Sequence, residues 1–266
     1  MHRAGLGAFL TLCLATLPCT TACPRLCACY VPTEVHCTFR YFTAVPPRIP
    51  PDVERINLGY NSLLQLTRVD FAGLEKLELL MLHSNQINAI PEKVFSDLHS
   101  LQVLKMSYNK VRVLQQDAFY GLKSLVRLHM DHNRIEFVNP NVFYGLTSLR
   151  LVHLEGNLLK QLHPDTFVTL RYSQLFEVSL VKHIYLSENL LTSLPEEMFS
   201  SMSELESLYL HGNPWACDCS LRRFAEWAAE RAGEPKALLM ASESRASSWF
   251  FLVKGLVLHL LTLPAD

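Results

Sequence analysis

The sequence predicts an α/β solenoid: a coil of repeated turns, with parallel β-strands on a concave face and a disulfide-bonded cap at the amino-terminal end. Three observations carry this prediction. Leucine accounts for 48 of the 266 residues. The pattern Leu-x-x-Leu-x-Leu-x-x-Asn-x-Leu, other aliphatics allowed, starts at Val53, Leu77, Leu101, Leu125, Leu149, Val181 and Leu205, with spacings of 24, 24, 24, 24, 32 and 24. Four cysteines, Cys23, Cys27, Cys29 and Cys37, crowd into the 15 residues CPRLCACYVPTEVHC ahead of the first repeat.

Each repeat unit follows from its residue types. In Leu80-Met81-Leu82, alternation sends Leu80 and Leu82 inward and Met81 outward, as a short strand of a parallel sheet requires. After the strand the chain bends inside the protein, where backbone groups lack water, and an asparagine side chain supplies both a donor and an acceptor. Asn61, Asn85, Asn109, Asn133, Asn157, Asn189 and Asn213 occupy that position. Ten residues beyond the first six asparagines stand Phe71, Phe95, Phe119, Phe143, Phe167 and Phe199, which are expected to fill the middle of the coil from the convex side. About eight extra residues around Arg171 to Leu180, in RYSQLFEVSL, account for the 32-residue spacing. A local bulge is expected there, because the pattern resumes in register at Val181.

Composition narrows the function. With 24 Lys+Arg against 25 Asp+Glu the net charge is -1, so no long-range field draws in a polyanion, and a nucleic-acid partner is not expected. An apolar content of 49% excludes general disorder. Residues 1–22 read as a signal peptide: Arg3, an apolar run from Leu6 to Leu17, then Thr20 and Ala22 before a cleavage point. That run is shorter than the roughly 20 apolar residues a bilayer span needs. Cleavage discards Cys13 and Cys19 and leaves six cysteines in an oxidising compartment. No Asn-x-Ser/Thr sequon occurs, so no N-linked glycan is expected.

The repeat residues are the leucine-rich repeat signature, and the chain resembles the extracellular 24-residue type. The resemblance implies a horseshoe that binds proteins on its concave face. The stretches CACYVPTEVHCTFR, VERINLGYNSL, KLELLMLHSN, LQVLKMSYNKVR, RLHMDHNRIEF and SLRLVHLEGNLLKQLHPDTF are similar to the amino-terminal repeats of adlican-type matrix-remodelling proteins of the immunoglobulin superfamily. In those large secreted proteins many immunoglobulin-like domains follow the repeats.

The ends of the coil expose apolar surface and need caps. For the cap at 23–52, four cysteines allow three connectivities that spacing cannot separate, and a four-cysteine zinc site is the rival arrangement. The resemblance implies pairing of Cys23 with Cys29 and of Cys27 with Cys37. Seven repeats then occupy 53–213. A partial cap follows at 214–233, where Leu221, Phe224, Trp227 and Ala228 are at helical spacing. The family's usual flank closes with two later cysteines; none follows Cys219 here, so Cys217 and Cys219 read as unpaired cap cysteines available for an intermolecular disulfide. Residues 234–266 form an atypical tail with an apolar run from Trp249 to Pro264, interrupted by Lys254 and His259. It is read as an alternative or truncated terminus. A transmembrane helix would bury Lys254, and a glycolipid-anchor signal would have a cramped spacer.

Strand alternation also lists the exposed columns. One reads Asn57, Met81, Lys105, His129, His153, Tyr185, Tyr209; the next reads Gly59, His83, Ser107, Asp131, Glu155, Ser187, His211; a third reads Arg55, Leu79, Val103, Arg127, Leu151, His183, Ser207. Large aromatic, methionine and histidine side chains with single charges suit a protein partner. The partner-binding candidates are His129, His153, Tyr185, Tyr209, Asp131, Glu155, Met81 and Lys105. The patch of His129, His153, Asp131 and Glu155 has zinc-ligand chemistry, but strand neighbours stand about 4.8 Å apart, so zinc bonds of about 2.0 to 2.2 Å require favourable rotamers. It is read as a charge-balanced surface, and neither a metal nor another cofactor is assigned. With no phosphate-binding glycine loop, no His-Glu-x-x-His and no nucleophile elbow, no enzyme is expected. The sequence reads as a secreted matrix module that binds an extracellular protein, with a membrane- or glycolipid-anchored receptor or co-receptor as the alternative.

Overall fold

The computed structural model describes residues 23–173, 176–216 and 238–240. The strands in chain order are β1 (Glu34–His36), β2 (Arg55–Asn57), β3 (Leu79–Met81), β4 (Val103–Lys105), β5 (Val113–Leu114), β6 (Arg127–His129), β7 (Phe137–Val138), β8 (Leu151–His153), β9 (Leu170–Ser173), β10 (Phe176–Val178), β11 (His183–Tyr185), β12 (Ser207–Tyr209) and β13 (Leu238–Met240). One strand per repeat joins a nine-stranded sheet in the order β1-β2-β3-β4-β6-β8-β11-β12-β13. Its pairs are parallel, and residues at equal repeat positions are Cα partners, as with Leu80 and Leu104 or His129 and His153. The solenoid with parallel strands along one face is the architecture the repeat pattern predicts.

Alternation works as expected: Leu80 and Leu82 are fully buried, while Met81 is half-exposed. The six phenylalanines are all buried, with ring centroids 5.7 Å apart for Phe71 and Phe95, 6.1 Å for Phe119 and Phe143, and 5.9 Å for Phe143 and Phe167. The convex side is built from turns and three 3-10 helices, Arg68–Asp70, Pro164–Phe167 and Glu196–Ser201, and no α-helix occurs among the described residues. A 24-residue turn leaves too few residues there for a full α-helical return, and the tighter 3-10 coil spans the gap.

Asparagine brackets join successive turns. Asn133 Nδ2 donates to Met106 O at 2.9 Å and to Met130 O at 3.0 Å, and its Oδ1 accepts from Val111 N at 3.2 Å. The same pattern recurs at Asn61, Asn85, Asn109, Asn157, Asn189 and Asn213. Across the long repeat, Asn189 reaches back to Leu154 O at 2.9 Å, so register survives the insertion.

The insertion itself is more ordered than a bulge. β9 and β10 form an antiparallel pair with a register shift between Phe176 and Glu177. Arg171 ties it down by pairing with Glu177 and lying over the Tyr144 ring, 5.5 Å from its centroid. Because the extra residues pair with each other, β8 and β11 remain neighbours in the main sheet.

At the amino-terminal end the disulfides Cys23–Cys29 and Cys27–Cys37 are formed, which rules out a four-thiolate zinc site there. The cap adds β1 to the sheet edge, and Cys37 N donates to Asn57 O at 2.8 Å. At the far end Trp215 packs on the core and donates from Nε1 to Leu210 O at 3.1 Å. The expected signal peptide at 1–22, Cys217, Cys219, the expected cap helix and the apolar run 249–264 lie outside the described residues. Among the described residues no helix is long and apolar enough to cross a membrane.

Phe119→Ala removes a ring from the middle of this stack and is expected to lower stability by about 3 to 5 kcal/mol through the cavity it leaves. Urea unfolding of the variant beside the parent checks this; an unchanged midpoint would mean that Phe119 does not face the core.

Candidate functional site

The exposed positions of β3, β4, β6, β8, β11 and β12 bring Met81, Lys105, His129, His153, Tyr185 and Tyr209 into one row, each the Cα partner of the next. Main-chain register sets this row, and side-chain size then decides what touches. The rings of His129 and His153 meet edge-on at 5.8 Å, those of His153 and Tyr185 are 4.4 Å apart, and Tyr185 and Tyr209 stack at 4.2 Å with planes 5° apart. The result is a continuous, partly exposed strip of rings with no duty in the core.

Beside it runs a polar column. Ser107 Oγ donates to Asp131 Oδ1 at 2.6 Å, and Ser187 Oγ lies 2.8 Å from His211 Nδ1. His153 bridges the two columns, with Nδ1 3.5 Å from Asp131 Oδ1 and Nε2 3.3 Å from Glu155 Oε2. Asp131 differs from the contact residue that the sequence suggests: its side chain is only 12% exposed and forms the floor of the patch. Burial pushes the His129 imidazole down to about 4; His153, Lys105 and Arg127 push the same way, and Asp131 opposes them. Burial, then Lys105, also lowers His83. The Tyr185 phenol is raised by burial first and then by Tyr209.

A fourth column escapes a reading of strand alternation alone. The residue just before each bracket asparagine has left-handed backbone, with φ of 55° at Tyr60, 53° at Ser84, 57° at Tyr108, 50° at His132, 64° at Gly156 and 54° at Glu188. This turns its side chain to the edge of the face. Tyr60 and Tyr108 are 50% and 56% exposed. Phe39 stacks on Tyr60 at 4.6 Å, Tyr60 meets His83 edge-on at 5.0 Å, and Tyr108 stacks on His132 at 4.5 Å. Gly156 leaves room for the neighbouring ring: a Cβ there would stand 2.4 Å from His132 Nδ1, so the imidazole would have to shift. The sequence signal was present, since the residue before each asparagine is fixed in position, but alternation covers only the strand. Tyr60, His83, Tyr108, His129, Asp131 and His153 border one open depression on this face.

Stacked turns, asparagine brackets and a ring-lined strand face define a class: the chain belongs to the leucine-rich repeat family, whose model matches residues 75–135, 127–179 and 169–214, together more than half of the chain. Within that class it is similar to human immunoglobulin superfamily member 10, at 71% identity over 226 residues, 85% of this chain and 9% of that protein. It is also similar to human matrix-remodeling-associated protein 5, at 68% identity over 212 residues, 80% of this chain and 8% of that protein. The chain therefore spans 8 to 9% of the length of these two relatives. A leucine-rich repeat protein of Leptospira interrogans shares the fold with a TM-score of 0.56 and 26% identity, over 71% of this chain and 43% of that one.

The depressed pKa of His129 has a sign. Unfolded, its imidazole takes up a proton near 6.5; folded, it stays neutral to about 4. Between those values the unfolded state binds more protons, so this residue's contribution to stability is intact above 6.5 and is lost as pH falls towards 4. The urea midpoint of His129→Gln is expected to fall less than that of the parent across this interval. Parallel curves would contradict the burial assigned to His129.

Proposed function

We propose that this leucine-rich repeat unit is a secreted, protein-binding module of the extracellular matrix, which docks an extracellular protein on its strand face with the centre of contact at His129, His153 and Tyr185. The observation that carries the reading is the unbroken strip of rings from His129 to Tyr209. Flat, half-exposed rings held by their neighbours lose little conformational freedom on binding, which is why aromatic residues concentrate at interface hot spots. Met81 and Lys105 extend the row, and Glu155 supplies a polar margin. Asp131 supports the contact from beneath.

Two further observations support an extracellular setting. The disulfides Cys23–Cys29 and Cys27–Cys37 persist in oxidising compartments, and the amino-terminal segment has signal-peptide composition. The similarity to a protein named for matrix remodelling points the same way. Docking of protein on a preformed surface, with no chemistry performed, is the activity proposed.

Saturable binding of the purified chain to decellularised matrix tests this. The triple variant H129A/H153A/Y185A is expected to bind about tenfold or more weakly, the loss that removing one hot-spot residue of 1.4 kcal/mol or more produces. Equal binding by parent and variant, both folded by circular dichroism, would move the contact surface elsewhere.

A further inference from the structure

The ring strip leaves one group of side chains with more polar capacity than its own contacts use. Asp131 is a nearly buried carboxylate, and the single ion pair it makes among the described residues is with a histidine, His153. No lysine or arginine of the described residues lies within ion-pair distance of it. A buried carboxylate without a permanent cation is costly unless a cation is supplied.

We propose that His129, Asp131 and His153 form a binding site for a zinc-class divalent ion. One ligand atom from each lies within 4.8 Å of the other two. The edge between His153 Nδ1 and Asp131 Oδ1, at 3.5 Å, already approaches the roughly 3.3 Å separation of two ligands on a tetrahedral ion with bonds of about 2.0 to 2.1 Å. Side-chain rotation has therefore brought donors together that the spacing of strands alone would hold apart.

The surrounding hydrogen bonds are those that prepare a metal ligand. With an ion held on His153 Nδ1 the ring proton is on Nε2, where Glu155 Oε2 at 3.3 Å can accept it and fix the ring. Ser107 donates to Asp131 Oδ1 and fixes the carboxylate. Two imidazoles and one carboxylate are the donor set of three-ligand zinc sites, with the fourth position left for water on the open side of the face. Lys105 and Arg127 stand near His129 and oppose a cation; Asp131 and Glu155 offset them. A second trio, Glu155, Glu188 and His211, has donors equally close, but Glu188 is exposed, Glu155 is engaged with His153 and His211 with Ser187. The first trio is the better-built site, whether or not a protein docks over it.

The test is calorimetric titration of zinc chloride into the mature chain at neutral pH, after treatment with a chelator and alkylation of free thiols with iodoacetamide, so that Cys217 and Cys219 do not contribute. One ion per chain is expected. H129A, D131N and H153A are each expected to lower the affinity about tenfold or more, a penalty that even losses outside the ligand shell carry, while H211A leaves it unchanged. In the parent, the imidazole resonances of His129 and His153 shift together on zinc addition. The absence of heat, or binding that persists in H129A and H153A but disappears in H211A, would overturn the assignment. Because the titration contains no protein partner, its result is independent of the docking test.

Discussion

The structure depends on one repeated contact: an asparagine side chain that closes the backbone of its own turn and ties it to the turn before. Each strand ends inside the protein, where a bend leaves carbonyls and amides out of reach of both the sheet and water. Asn109 shows the solution, donating to Leu82 O and Met106 O and accepting from Ile87 N. Each buried polar group left unpaired would cost about 1 to 3 kcal/mol, so any other arrangement of the bend is disfavoured at every turn. Leucine burial supplies the driving force for stacking, but it is not directional. The brackets convert it into a fixed register.

That register is what makes a surface. With equal positions of successive turns held as Cα partners, side chains far apart in sequence become neighbours in a row, and their chemistry accumulates. His129, His153, Tyr185 and Tyr209 come from four repeats, yet form one strip of touching rings. The antiparallel pair β9 and β10 shows how strictly register is kept: eight extra residues leave the sheet, pair with each other, and return the chain to place beside β8. The face is thus rigid before any ligand arrives, as low-cost recognition requires.

The fold was legible in the sequence because both periods, 24 along the chain and two along the strand, follow directly from residue types. The columns through Met81, Lys105 and His129, and the burial of Phe119 and Asn133, needed nothing more. What alternation could not supply were features set by backbone outside the strand or by side-chain rotation. The left-handed residues Tyr60, Tyr108 and His132 lie past the strand end, so their edge column was not anticipated. The hairpin at Arg171 depends on pairing within an irregular segment that has no repeat to compare with. Asp131 sits at a position that alternation marks as outward, but Ser107 draws its carboxylate onto the floor, where it meets His153. That convergence also brings His153 Nδ1 within 3.5 Å of Asp131 Oδ1, closer than the spacing of strands implies.

Amide hydrogen exchange on the mature chain tests the bracket account most directly, because the oxygens of Asn85, Asn109, Asn133, Asn157 and Asn189 each protect one identifiable backbone N–H. Leu63, Ile87, Val111, Ile135 and Leu159 are expected among the slowest-exchanging amides, and Asn133→Ala is expected to release Val111 first while Leu63 and Ile87 stay protected. Fast exchange of these amides in the parent chain, or a uniform loss of protection in the variant with Val111 no different from the rest, would contradict the claim that the asparagines set the register.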